Sequence, residues 1–137
     1  MSEAQAAVRQ VLDRFCRGWE AGDADAVLAC FAVDASTTVV GTDRDEYWRG
    51  YDAFAQPFRA MVSAFSEARY DWASEPTISA FGDVAWADGI IDSVLVADGI
   101  HVRATMRTTW TLRYLADGWR VVQAHFSVAP DAPVAGY

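Results

Sequence analysis

The stretch Ile100-His-Val-Arg-Ala-Thr-Met-Arg-Thr-Thr-Trp-Thr-Leu-Arg-Tyr114, then Ala116-Asp117-Gly118, then Trp119-Arg-Val-Val-Gln-Ala-His-Phe-Ser127, decides the fold. Apolar and polar residues alternate, the chain turns at Asp-Gly, and alternation resumes, which is the signature of a β-hairpin. Alternation puts Ile100, Val102, Ala104, Met106, Thr108, Trp110, Leu112 and Tyr114 on one face of the first strand. His101, Arg103, Thr105, Arg107, Thr109, Thr111 and Arg113 take the other, polar face, which suits solvent or a partner subunit. On the returning strand, strict alternation groups Trp119, Val121, Gln123, His125 and Ser127. Three polar groups in a row are hard to satisfy in a sealed core, so this face reads as the lining of a pocket.

Upstream, the period is also two. Tyr70 to Phe81 reads as a strand interrupted by Pro76, Gly82-Asp83 turns, Val84 to Val96 is the next strand, and Ala97-Asp98-Gly99 turns again. Short turns between consecutive strands require antiparallel neighbours, so the C-terminal half is a four-stranded meander. In Val84 to Val96, Val84, Trp86, Asp88, Ile90, Asp92 and Val94 face one way, and Ala85, Ala87, Gly89, Ile91, Ser93 and Leu95 the other. The large side chains assign the first set to the pocket. The small, flat second set suits contact between subunits.

The N-terminal half has a helical period. Val8, Val11, Leu12, Phe15 and Trp19 form one stripe, with Ser2 and Gln5 as a capping box and Gly22 as the stop. Asp23 caps a shorter helix carrying Val27, Leu28 and Phe31. Ser36 to Gly41 is a short strand and Thr42 to Arg49 a charged loop. Phe54, Phe58, Met61, Val62 and Phe65 mark a third helix, with Pro57 either kinking its first turns or marking where regular helix begins. Pro130 to Tyr137 reads as an irregular end. The expectation is α+β: one domain over residues 1–137, with a curved antiparallel sheet wrapped around three N-terminal helices. The result is a cone-shaped barrel with a central pocket.

Composition narrows the function. The 137 residues are 53% hydrophobic and 13% aromatic, with six Trp, enough for a core built on rings. A net charge of −8 disfavours nucleic acid and anionic membranes, although a local Arg could still hold an anionic ligand. All eleven cationic side chains are Arg, so lysine Schiff-base chemistry is impossible. Cys16 and Cys30 read as buried free thiols of a cytoplasmic protein. The N-terminus carries no signal-peptide pattern, and no apolar run approaches the roughly 20 residues of a membrane helix. No H-x-x-x-H, Walker loop or G-x-G-x-x-G is present, so no metal site and no cofactor are expected.

Asp88, between apolar neighbours, is the best candidate base, because burial against apolar walls raises a carboxylic acid's pKa. The plainer alternative is an Asp88 bonded to an indole or an Arg, or placed at a wet rim. His125 is the candidate to orient or protonate a ligand, against the usual role of a lone histidine as a satisfied core group. Glu46, Tyr47 and Trp48 stand where the chain enters the third helix, as a pocket rim or as a solvated loop with Trp48 as a packing plug.

The order of elements has a counterpart among known families. Together with Gly41-Thr-Asp-Arg-Asp-Glu-Tyr-Trp-Arg-Gly50, Gly82-Asp-Val-Ala-Trp86 and Asp117-Gly-Trp-Arg-Val-Val-Gln-Ala-His-Phe-Ser127, it resembles the SnoaL-like branch of the nuclear-transport-factor-2-like (cystatin-like) superfamily. It is also similar to the calcium/calmodulin-dependent kinase II association domain. The resemblance implies a cone-shaped α+β barrel, a homodimer through the convex sheet face, and a central pocket. That pocket is catalytic in polyketide cyclases and ketosteroid isomerases, and serves binding and assembly in the kinase domain. Asp88 and Trp110 stand where the association domain has pocket arginines, so its anion clamp is not carried over.

The expected function is therefore binding of a small, largely apolar ligand, as an isomerase or cyclase moving a proton next to a carbonyl. Asp88 would be the base, and Tyr47, Trp110 or His125 would donate to the oxyanion. Trp48, Phe58, Trp86, Met106, Gln123 and Ser127 would complete the pocket. The alternative is a non-catalytic dimerisation or ligand-binding module. Epoxide hydrolysis through an Asp-Arg-Asp relay is disfavoured, since Arg103 and Arg107 fall on the wrong face. The enzymatic reading requires Asp88 and His125 inside one cavity.

Overall fold

A computed structural model describes residues 1–130. Most of the irregular end, residues 131–137, lies outside the described residues. Helix α1 spans Glu3–Ala21 and begins with the expected capping box, in which Ser2 and Gln5 bond reciprocally. It buries Val8, Val11, Leu12, Phe15, Cys16 and Trp19. Asp23 accepts from Ala26 N–H and caps α2, Ala24–Leu28. Helix α3, Tyr51–Ser63, buries Phe54, Phe58 and Val62 and runs through Pro57, which sits in its second turn. No helix among the described residues is long and apolar enough to cross a membrane.

The strands are β1 (Thr38–Val40), β2 (Tyr47–Arg49), β3 (Glu67–Trp72), β4 (Thr77–Phe81), β5 (Val84–Ala97), β6 (Ile100–Leu115) and β7 (Gly118–Ser127). They form one sheet in the order β2-β1-β7-β6-β5-β3, with β4 also paired to β5. The α+β class and the curved sheet agree with the sequence reading. The sheet is mixed and unclosed, however, because β1 runs parallel to β7. The chain comes onto the sheet beside β7 already at Phe31, which bridges Val121 in the same sense. The end of the charged loop, Tyr47–Arg49, folds back as β2.

Pro76 divides the strand read over Tyr70–Phe81. β3 pairs with the C-terminal half of β5 and β4 with its N-terminal half, so both lie along the same edge. The crossing between them packs on Gly89. A Cβ there would lie 2.6 Å from the Trp72 ring and 3.2 Å from Pro76 Cβ.

The two faces of β5 are the reverse of the sequence assignment. Directly paired residues share a side of the sheet, and Ala87 pairs with Trp110, Ile91 with Met106. Ala85, Ala87, Ile91 and Ser93 are therefore buried, while Trp86 is 50% and Ile90 42% exposed. Small residues lie inward because Trp110 and Trp72 need the room. Strand β7 departs from strict alternation too. Thr111 pairs with Gln123 but Leu112 with Val121, which leaves Val122 as an extra residue in a bulge. Beyond it, Ala124 and Phe126 turn inward, and Gln123 and His125 turn out.

Replacing Gly89 by Ala is expected to destabilise the fold by about 1–3 kcal/mol, through overpacking against Trp72. Denaturant unfolding would measure this, and a change within error of zero would contradict the packing described.

Candidate functional site

A cavity of 290 Å³ lies between the helices and the inner face of the sheet. Helix α1 contributes Phe15 and Trp19, and α3 contributes Phe58 and Met61. The sheet supplies Val39, Tyr70, Ser93, Leu95, Met106 and Phe126, and the segment 41–48 closes one side with Glu46 and Trp48. The aromatic walls are ordered against each other. Trp19 stacks on Tyr70 with centroids 5.2 Å apart, and both Trp19 and Trp48 meet the Phe58 ring edge-on.

Few polar groups interrupt these walls. Ser93 Oγ is occupied, donating to Ala104 O at 3.2 Å. Trp19 is 6% exposed, and its Nε1–H has no hydrogen-bond partner among the described residues. A buried N–H left unpaired costs about 1–3 kcal/mol, and this one is sealed within the packing behind the cavity wall. Trp72 Nε1 is similarly unpaired but does not line the cavity. Burial pushes the Tyr70 phenol up, with smaller upward contributions from Cys16 and Glu46, so its O–H persists as a neutral donor.

Glu46 is held in place by its own turn. Gly41 N–H donates to Glu46 O at 2.6 Å, and Glu46 N–H donates to Asp43 O at 3.0 Å. Glu46 Oε1 accepts Asp43 N–H at 2.9 Å. A Cβ on Gly41 would lie 2.5 Å from that same Oε1, so glycine clears the space the carboxylate occupies.

Of the residues singled out from sequence, Trp48, Phe58 and Met106 line this cavity. Tyr47 is 67% exposed, one residue out of phase with Trp48. Trp110 is core: its Nε1–H donates to Thr108 Oγ1 at 2.9 Å, and Thr108 in turn donates to Gly89 O. Trp86, Asp88, Gln123, His125 and Ser127 belong to the outer face of the sheet, for the pairing and bulge reasons given above. Asp88 and His125 do come together there. They flank Thr109 across three strands and border a shallow depression with Ile90, Arg107 and Ser127. Arg107 Nε donates to Ser127 Oγ at 3.1 Å. The sheet separates this pair from the internal cavity, so the condition set for Asp88 and His125 as its acid and base is not met.

Three groups in the cavity were not singled out as site residues. Trp19 reads as one more core position of the α1 stripe, and Tyr70 as the start of a strand. Glu46 was legible only as rim, and the signal that separates it is Gly41, five residues earlier.

The family model of the SnoaL-like domain matches residues 8–131. This chain belongs to the SnoaL-like family. Solved structures agree with the SnoaL-like fold at low identity. A nuclear transport factor 2 (NTF2-like) superfamily protein from Salmonella enterica superposes with a TM-score of 0.86 at 20% identity, covering 98% of this chain and 97% of that one. A proposed calcium/calmodulin-dependent protein kinase II association domain from Xanthomonas campestris gives 0.76 at 16%, covering 91% and 87%. A proposed scytalone dehydratase from Novosphingobium aromaticivorans gives 0.78 at 12%, covering 94% and 87%. No curated protein matches the sequence.

In this SnoaL-like chain, Asp88→Asn and His125→Gln are expected to leave the affinity for acetophenone, a neutral apolar probe, unchanged. Calorimetric titration checks it, and weaker binding in either variant would link the outer face to the cavity.

Proposed function

We propose that this chain binds a small, largely apolar carbonyl compound in the internal cavity and moves a proton next to that carbonyl. One observation carries the reading: the buried phenol of Tyr70 and the fixed carboxylate of Glu46 line one largely apolar cavity. The phenol O–H suits a carbonyl oxygen that gains negative charge, and the carboxylate suits the adjacent C–H. Glu46 thus takes the role that the sequence suggested for Asp88. The match to a proposed scytalone dehydratase supports the fold that hosts this chemistry, and the chemistry itself rests on the cavity.

Exchange of the acetophenone methyl hydrogens in deuterated water, followed by NMR, tests the reading. The protein should accelerate exchange, Glu46→Gln should lower the rate by about 10²–10⁴-fold, and Tyr70→Phe should lower it by up to about 10²–10³-fold. Binding without exchange would favour a non-catalytic ligand-binding module.

A homodimer through the outer face of the sheet belongs to the same proposal. Trp86 and Ile90 place exposed apolar area on that face beside the charged Asp88, Asp92 and Arg107. Sedimentation should report a dimer that Ile90→Glu converts to monomer; a wild-type monomer at all concentrations would refute it. The two cysteines are buried free thiols, which supports a reducing, cytoplasmic setting.

A further inference from the structure

Among the described residues, the ionisable side chains in the cavity wall are Asp43, Glu46 and Tyr70. None of the eleven Arg residues and neither His contributes to it. Arg44 belongs to the same turn as the two carboxylates but does not line the cavity. Tyr70 stays neutral, so the fixed charge of the wall is negative and sits on the turn side, with Asp43 exposed and Glu46 half-buried. The inner end is formed by rings, where Trp19 is 94% buried with an unpaired N–H and Phe15 and Phe58 stand beside it.

From this we infer that the cavity selects its ligand by charge: it admits uncharged and cationic apolar molecules and turns away carboxylates and phosphates. The inference rests on the proposed ligand-binding role of the same cavity. An anion inserted between aromatic walls loses water and finds no cation to replace it, while Glu46 and Asp43 repel it. A cation loses water too, but meets two carboxylates on the turn side, where Trp48 also lines the wall. Gly41 matters here as a positioning residue, because it lets the Glu46 carboxylate fold against its own turn. A largely apolar body with an acceptor for the Tyr70 O–H and a neutral or positive outer end describes the ligand that fits.

Three ketones of nearly one shape test this: 4-tert-butylacetophenone, its trimethylammonium isostere 4-acetyl-N,N,N-trimethylanilinium, and 4-acetylbenzoate. Calorimetry at low salt should find the benzoate at least about tenfold weaker than the tert-butyl compound, and the trimethylanilinium at least as tight. High salt should narrow both differences, since the carboxylates are partly exposed. Glu46→Gln retains an acceptor for Asp43 N–H. It should narrow the gap between the tert-butyl compound and the benzoate, and adding Asp43→Asn should nearly close it. Equal affinities for all three ketones, or a gap untouched by both substitutions, would overturn charge selection and leave ligand binding standing. No binding of the tert-butyl ketone would overturn the ligand-binding reading itself, and this inference with it.

Discussion

The ring of Phe15 meets five other aromatic rings, and the rest of the molecule is arranged around that meeting. Trp110 and Phe126 lie at 5.0 and 5.6 Å, and Phe31, Tyr70 and Trp19 at 6.1 to 6.4 Å. One side chain of α1 is thereby tied to β3, β6, β7 and, through Phe31, to the segment that follows α2. Aromatic pairs add about 0.5–1.5 kcal/mol each beyond their buried area, and their edge and stacking geometry fixes orientation as well as distance. Because Phe15 also lines the cavity, the contact that holds helix to sheet sets the cavity's inner end. Trp19, one turn further along α1, extends the same wall by stacking on Tyr70.

This arrangement explains why the sheet cannot keep simple alternation. Rings as large as Trp110 and Trp72 need small partners, and β5 provides Ala85, Ala87 and Gly89 on the inner side. The larger Trp86 and Ile90 are left on the outer side. At β7, the extra residue Val122 shifts the phase so that Phe126 can reach Phe15. The same shift carries His125 and Gln123 outward. A packing demand in the core thus decides which polar groups the ligand cavity can use.

The polar residues Trp19, Tyr70 and Glu46 reach the cavity wall from three separate parts of the chain: a helix, an edge strand and a turn. No spacing rule joins them. The rows that sequence periodicity does bring together, Asp88 beside Trp86 and His125 beside Gln123, share the outer face. Periodicity identifies neighbours on one element reliably. It identifies the side of the sheet only when composition differs clearly between faces, and on β5 large apolar residues stand on the outer side while small ones fill the inner.

Legible in the order of residues alone are the helices with their caps, the order of the long strands, the α+β class, the family resemblance, and Trp48, Phe58 and Met106 as residues near a cavity. These follow from local backbone preference and from hydrophobic periodicity, which act over a few residues. Tertiary structure alone decided which face of β5 is buried, where β7 slips phase, that β1 joins in parallel, and that Glu46, Tyr70 and Trp19 share one space. Each of those depends on cross-strand register or on the volume left by a distant ring, quantities that exist only once the elements have packed.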